Sequence, residues 1–299
     1  MLMRLLLLFA VSIQGAVDRS SLDAAIVFQS GSDAYDEALT GIRASLAKSP
    51  YKIQYVNLAE TGAPKRLEAM LASAPRLVTA VGLGAWDQLG TVAIPVLPAV
   101  VLREDVRSAK DRRAVAVIYA DVPLAAIAFN LRAMFPGRSR IALIHRSSRP
   151  PLDAVAIARV KQLGFELMVV ECAGPDKLLA AFGSAKGAAD FVVTEPDPEL
   201  YNSATVKPLV LASLDSRLPI VGFSAAFVRA GALAGVYPDF RDLGQQTGER
   251  IQRILEGNPA DKKKAPEDEV RKVVIAVNER IARLMGIEPA DRAHAVIFK

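Results

Sequence analysis

A serine in the last third of the chain has a setting that could support nucleophilic catalysis. Ser224 lies in the run Gly222-Phe223-Ser224-Ala225-Ala226, directly after an apolar segment. A serine on such a strand-to-helix turn approximates the nucleophile elbow of α/β-hydrolases, and Asp239 and His294 follow in the chain order of that class. Ala226 replaces the second glycine of the motif, so hydrolysis stands as an alternative function only.

A second turn pattern, Gly82-Leu83-Gly84, could bring backbone N–H groups to a ligand. The pair follows the apolar run Leu77–Val81 and is the first half of a dinucleotide fingerprint, but Asp87 occupies the place of the third glycine. An acidic residue at a helix start repels a bound pyrophosphate. The pattern therefore predicts either a tight turn or a site for a polar ligand group, and no nucleotide cofactor.

Charged side chains follow two further strand candidates. Glu195-Pro196-Asp197-Pro198-Glu199 comes after Phe191–Thr194, and Arg146-Ser147-Ser148-Arg149 comes after Ile141–His145. Ligands of open α/β sheets bind at the carboxyl ends of strands. The carboxylates could meet a ligand amine, hold calcium or complement a helix start, and the arginines could meet an anion or lie in a solvated loop.

The composition restricts the remaining chemistry. His145, His294 and Cys172 are the only histidines and cysteine, which is fewer than the four ligands of a closed zinc site. A net charge of +5 over 299 residues gives little support for nucleic-acid binding. We expect no metal, no cofactor, no catalytic residue and no nucleic-acid partner.

The elements that position these residues alternate between short aliphatic runs and amphipathic runs, which predicts βαβ units and mainly parallel sheets. The predicted strands are Ala24–Phe28, Ile53–Val56, Leu77–Val81, Ala99–Leu102, Ala114–Tyr119, Ile141–His145, Glu166–Val170, Asp190–Thr194, Pro219–Gly222, Leu233–Tyr237 and Val273–Val277. The predicted helices are Tyr35–Ala47, Leu124–Met134, Leu152–Gln162, Lys177–Phe182, Val206–Leu214, Arg241–Leu255 and Glu279–Met285. Two such series predict two lobes.

The first 16 residues are typical of an export signal. Arg4 is followed by the apolar run Leu5–Ile13 and the small pair Gly15–Ala16. The run is shorter than the about 20 residues that span a bilayer. We therefore predict a signal peptide over residues 1–16 and a periplasmic location.

Several short motifs follow one another in the later part of the chain. They are Asp190–Val193, Asp197–Asn202, Pro219–Ser224, Val228–Leu233, Gly244–Gly248, Ile254–Gly257, Val277–Asn278 and Leu284–Ile287. In this order they resemble the periplasmic substrate-binding proteins of ABC transporters with the type I fold. More narrowly, they resemble the subfamily that includes tryptophan- and tyrosine-binding members, and the resemblance extends from about Ala24 to Pro289.

The resemblance implies an α/β fold of two Rossmann-like lobes with parallel sheets, three interlobe crossings and a small ligand held between the lobes. On this sequence the N-terminal lobe is expected to comprise residues 23–119 plus 238–264, and the C-terminal lobe residues 120–237 plus 265–299. Hinge closure is expected at crossings near residues 119–123, 236–239 and 262–268.

The ligand-facing turns of the family correspond to four turns of this chain. The implied ligand contacts are Gln29, Ser30, Ser32, Gly84, Ala85, Glu195, Asp197, Phe223 and Ser224. The ring of Phe223 or Trp86 is expected to stack on a planar ligand, and Glu195 or Asp197 to meet an amine. Leu102–Val106 and Val117–Asp121 depart from the Ser-Asp-Pro and Asn-x-Thr-Gly segments usual in the family, so the ligand is not specified as an amino acid.

The function expected from these observations is that of an exported, monomeric, non-enzymatic solute-binding protein. It would capture a small polar or aromatic solute for an ABC permease. One alternative is a ligand-sensing or adaptor module that docks on a receptor or histidine-kinase ectodomain. The second alternative is the serine hydrolase that uses Ser224.

Overall fold

The structure is a computed structural model that describes residues 22–108, 114–257, 267–291 and 293–299, and these form two α/β lobes. The predicted signal peptide at residues 1–16 lies outside the described residues. The strands are β1 Ala24–Phe28, β2 Ile53–Asn57, β3 Leu77–Val81, β4 Val96–Val101, β5 Val117–Tyr119, β6 Arg140–Arg146, β7 Glu166–Cys172, β8 Phe191–Thr194, β9 Ile220–Gly222, β10 Ala234–Pro238, β11 Glu267–Asp268, β12 Val273–Asn278 and β13 Val296–Phe298. The helices are α1 Asp33–Leu46, α2 Ala63–Ala72, α3 Leu83–Leu89, α4 Arg103–Ser108, α5 Leu124–Met134, α6 Ala154–Gln162, α7 Leu178–Ser184, α8 Val206–Ser216, α9 Ala225–Ala230, α10 Phe240–Leu255 and α11 Glu279–Met285.

The first lobe is built on a sheet with the strand order β11-β5-β4-β3-β1-β2, in which every pairing is parallel. Its inner strands are continuous apolar runs because helices cover both faces. Leu39 of α1 and Leu243 of α10 pack on one face, and Met70 of α2 and Trp86 of α3 pack on the other.

The second lobe is built on a sheet with the order β13-β12-β10-β9-β8-β6-β7. The pairings are parallel except that β12 runs antiparallel to β10. Helices α5, α6 and α11 cover one face, and α7 and α8 cover the other. The predicted two-lobe α/β fold is confirmed.

Within the described residues, the chain crosses between the lobes three times. The first crossing joins β5 to α5, and the second joins β10 to α10, which packs against α1 in the first lobe. The third joins β11 to β12. Residues from 265 onward were expected in the second lobe, whereas β11 pairs with β5 in the first sheet. The two residues of β11 are both acidic, so no apolar pattern marks this strand.

The predicted elements occur within a few residues of the observed ones, with two kinds of difference. The predicted strand Ala114–Tyr119 is shorter in the structure, where Val117–Tyr119 forms β5 and Ala114 makes an isolated bridge to Val96. Helices α2, α3, α4 and α9 and strand β13 were not predicted. Most of these are only six or seven residues long, too short to show a clear helical periodicity.

Helices α1 and α10 pack closely because glycine lies at their contact. A Cβ atom built on Gly41 would overlap the backbone oxygen of Arg241, and one on Gly244 would overlap that of Ala38. Both glycines are buried. The approach of the two backbones therefore holds the start of α10, just after the second crossing, against the first lobe.

We expect Gly244→Ala to lower the free energy of unfolding by about 1–3 kcal/mol, because the new methyl group forces the two backbones apart. Gly183→Ala is the matched control, since Gly183 is an exposed residue of α7 with open space around its Cα. The control gains helix propensity and should be neutral or slightly stabilising. Urea unfolding measures both variants, and equal stability of the two would contradict the packing argument.

Candidate functional site

A cavity of about 820 Å³ lies between the lobes, where the carboxyl ends of strands from both sheets face each other. This volume is within the range of small-molecule sites, and the carboxyl edge is where open α/β sheets bind ligands. The first lobe contributes residues that follow β1, β3, β4 and β5, and the second lobe contributes residues that follow β6, β8 and β9. Among its lining residues are Ser32, Tyr35, Leu83, Leu102, Glu104, Asp105, Asp121, Arg146, Arg149, Glu195, Asp197, Glu199, Phe223, Ser224 and Phe240.

Five of the residues named from the sequence line this cavity: Ser32, Glu195, Asp197, Phe223 and Ser224. Ser32 is the N-cap of α1, and the other four lie on the turns after β8 and β9, so the five occupy the two facing sheet edges. Their position makes the cavity the candidate binding site.

The other four, Gln29, Ser30, Gly84 and Ala85, are not among the described lining residues. The Ser30 hydroxyl accepts a hydrogen bond from Asn57 Nδ2 at 2.9 Å. Ala85 is buried in the core of the first lobe. Whether any of the four contacts a ligand stays a prediction.

The expectation that Trp86 stacks on a ligand is wrong, because its ring is 2% exposed and packs in the core beside Ala85. Tyr35 supplies an aromatic wall instead. Its ring lies over Gly82, where a Cβ atom would stand 2.6 Å from Tyr35 Cζ, and Gly82 has φ +84°. Because Gly82 has no side chain, it can adopt this positive φ and leaves room for the Tyr35 ring.

The hydrolase triad considered as an alternative is not assembled. Ser224 Oγ accepts a hydrogen bond from the N–H of Phe227 and caps α9. Asp239 caps α10 and forms a salt bridge of 2.8 Å with Lys272. His294 is exposed and pairs with Asp291 in its own segment. Each member has a local structural role, and the small residues after Ser224 begin a helix.

The contacts of Asp197 described here all lie within the second lobe. Asp197 is 2% exposed, and one oxygen accepts hydrogen bonds from the N–H groups of Glu199 and Leu200. The other oxygen lies 2.8 Å from Arg146 Nε and 3.1 Å from Arg149 Nε. Asp197 therefore positions two arginines at the cavity.

Glu104 connects the lobes. It begins α4 in the first lobe, and its Oε1 lies 2.9 Å from an Arg146 guanidinium nitrogen of the second lobe. Its other oxygen contacts Arg149 Nε. Arg146 also pairs with Glu199 at 2.8 Å. We call the group Glu104, Arg146, Arg149, Asp197 and Glu199 the interlobe salt-bridge network.

Glu195 contacts the buried His145. Nδ1 of His145 lies 3.2 Å from Glu195 Oε2, and Nε2 lies 3.0 Å from the carbonyl oxygen of Pro150. Both ring nitrogens face acceptors, so the doubly protonated ring satisfies both contacts. The hydrogen bond to Glu195 accordingly raises the pKa of His145.

Two cavity carboxylates, Asp105 and Asp121, were not predicted as site residues. Asp105 accepts the N–H of Leu102 at 2.8 Å, and Asp121 accepts the N–H of Arg103 at 2.7 Å. Burial raises the pKa of both, and that of Asp121 rises to about 6.

Val100 marks a distortion of the strand beside these carboxylates. This cavity residue has φ +58°, and the register of β4 against β5 shifts around it. A β-branched residue rarely adopts a positive φ, and such distortions concentrate at functional sites. The bulge therefore supports the assignment of the cavity as the functional site.

Comparison with known proteins places these features in a wider context. The family model for ABC transporter substrate binding proteins matches residues 125–296. A search of curated proteins found no match.

Three solved structures share the fold. A ligand-free, open substrate binding protein with adhesive properties from Clostridium difficile is 18% identical, with a TM-score of 0.68 over 93% of this chain and 99% of that one. An ABC domain in complex with L-Trp from Streptococcus pneumonia is 20% identical, with a TM-score of 0.60 over 92% of this chain and 100% of that one. A conserved domain protein from Vibrio cholerae is 15% identical, with a TM-score of 0.59 over 93% and 100%.

We expect Glu104→Gln to weaken the contact between the lobes, because the amide cannot neutralise Arg146 and Arg149. The cost should be about 1–2 kcal/mol, less than for a fully buried pair since Glu104 is 30% exposed. Small-angle scattering should show a larger radius of gyration for this variant. Glu60→Gln, which removes an exposed ion pair with Arg66, is the control. Identical scattering from the two variants would show that the network does not hold the lobes together.

We expect Asp121→Asn to stabilise the protein in a pH-dependent way. The carboxyl has a pKa of about 6 in the folded chain against 3.8 without burial, so the wild type loses stability as the pH rises from about 4 to about 6. The asparagine variant does not, so its advantage should be near zero below pH 4 and about 1–3 kcal/mol above pH 6. Urea unfolding from pH 4 to 8 tests this, and a pH-independent difference would contradict it.

Proposed function

The chain belongs to the family of ABC transporter substrate-binding proteins, and on that premise we propose that it captures a small molecule between its lobes and delivers it to an ABC permease. The cavity of about 820 Å³, lined from both lobes, carries this proposal. A ligand in a cavity that is lined by both lobes contacts both of them, so it would oppose their separation.

The capture mechanism that we propose is closure about the three crossings. A ligand that contacts both walls stabilises the closed arrangement and shifts the population toward it. Within the interlobe salt-bridge network, the contacts of Glu104 with Arg146 and Arg149 join the two lobes and would be lost when the lobes separate. The expected lobes, residues 23–119 plus 238–264 and residues 120–237 plus 265–299, would be the moving bodies, with β11 added to the first.

The proposal includes a periplasmic location and a monomeric state. Export through the signal at residues 1–16 would bring the protein to the periplasm, where a permease would receive the ligand from a monomer. Among the described residues, no helix is both long and apolar enough to cross a membrane. Protein recovered from the periplasmic fraction with an N-terminus near residue 17 would support the predicted signal.

The family membership also bears on chemistry and on ligands. We propose that the protein binds its solute without transforming it, since the Ser224 triad is not assembled. The Streptococcus pneumonia structure holds L-Trp, which makes amino acids one class to include in a ligand screen.

A thermal-shift screen tests the proposed function with amino acids, sugars, nucleosides and organic amines as probes. A true ligand should raise the melting temperature with concentration, and at 100 times its Kd it should add about 2.7 kcal/mol to the free energy of unfolding. Ser32→Trp should abolish the shift, because it places a bulky ring at the cavity and removes no side-chain cap. Ser203→Trp, at an exposed position of the second lobe, should retain it.

Two outcomes would contradict the proposal. One is a wild-type protein that no solute in the panel stabilises. The other is a stabilisation that persists in Ser32→Trp, because such binding would not take place in the cavity.

A further inference from the structure

The arginines of the cavity are already paired. Arg146 lies 2.8 Å from Asp197, 2.9 Å from Glu104 and 2.8 Å from Glu199. Arg149 contacts Glu104 and Asp197. These two are the cations among the described residues that line the cavity. An anionic ligand would have to displace carboxylates that are already in place.

Two carboxylates on the opposite wall have no such partner. Asp105 and Asp121 each accept a backbone N–H, and neither forms a salt bridge within the described part of the chain. Asp105 is attracted by Arg149 and repelled by Glu104 and Asp87. Asp121 is attracted by Arg103 and repelled by Asp105. Arg103 itself pairs with Glu269 at 2.6 Å.

Much of the remaining cavity lining is apolar. Tyr35, Phe223 and Phe240 provide aromatic rings, and Leu102 and Val122 provide aliphatic side chains. Apolar walls favour the hydrocarbon part of a ligand, and an aromatic face also attracts a cation. The combination is selective against a strongly hydrated metal ion, which gains little from such walls.

We propose that the ligand of this cavity is an organic amine, whose ammonium group lies at Asp105 and Asp121 while its apolar body packs against Tyr35, Phe223 and Phe240. This inference rests on the proposed function and specifies its substrate class. The raised pKa values of Asp105 and Asp121 are consistent with it, since burial penalises both charges and a bound cation would relieve that penalty.

Three probes with the same ring and different charge test the ligand class: phenethylamine, L-phenylalanine and 3-phenylpropionate. Isothermal titration calorimetry at pH 7.5 should detect binding of the amine, weaker binding of the zwitterion and no binding of the anion. Calcium chloride serves as a further probe, because carboxylates also bind hard cations.

The carboxylates are tested with Asp105→Asn and Asp121→Asn. Each asparagine keeps an acceptor for the backbone N–H, so the fold should remain intact. Each variant should weaken amine binding about tenfold or more, the effect of losing one charge-assisted hydrogen bond. Asp215→Asn, which changes an exposed carboxylate on α8, should leave binding unchanged.

The outcomes separate the ligand class from the proposed function. Tighter binding of 3-phenylpropionate than of phenethylamine, no binding of the amine, stabilisation by calcium alone, or equal affinity in Asp105→Asn and the wild type would each overturn the amine. If the amine fails and another solute binds in a manner sensitive to Ser32→Trp, the solute-binding function stands. If no solute binds, both are wrong.

Discussion

Charges that are removed from water require partners, and in this protein one set of partners spans the two lobes. Arg146 and Arg149 are 16% and 12% exposed, and they share the buried carboxylate of Asp197. Glu104 of the first lobe supplies the further carboxylate that both arginines contact. If the lobes separated, the two guanidinium groups would lose the carboxylate of Glu104. Closure of the cleft therefore stabilises the charges of Arg146 and Arg149 in the second lobe.

Two helices of the first lobe are closely packed beside the second crossing. Gly41 and Gly244 let α1 and α10 approach until their backbones touch, which fixes the start of α10 next to the second crossing. The same helix α1 carries Tyr35, six residues before Gly41, to the wall of the cavity. The glycines at the contact between α1 and α10 thus allow the close packing of the helix that follows the second crossing against the helix that carries Tyr35.

Much of the fold was predictable from the sequence because it depends on local periodicity. Continuous apolar runs predicted the inner strands. The rule that ligands bind at the carboxyl ends of parallel strands drew attention to Glu195 and Asp197, whereas Phe223 and Ser224 were expected as ligand contacts from the resemblance to the family. The rule does not say which side of a turn faces the cavity. Trp86 follows such a turn, yet helix α3 directs it into the core.

The interlobe salt-bridge network could not have been predicted in the same way. Glu104 and Arg146 are 42 residues apart and lie in different lobes. Neither side chain has a local pattern that names its partner, so the arginines were equally compatible with an anion site and a solvated loop. Strand β11 illustrates the same limit, because its two acidic residues pair with β5 through the backbone and with Arg103 and Arg250 through their side chains, and no local pattern predicts these partners.

The segments Leu102–Val106 and Val117–Asp121 of the first lobe supply three carboxylates with two complementary effects. Glu104 neutralises the arginines of the opposite lobe, while Asp105 and Asp121 stay without a salt bridge among the described residues. A ligand carboxylate would compete with Glu104 for the arginines and would break the contacts that hold the lobes together. An ammonium group would leave those contacts intact, so closure of the cleft and selection for a cation depend on the same charges.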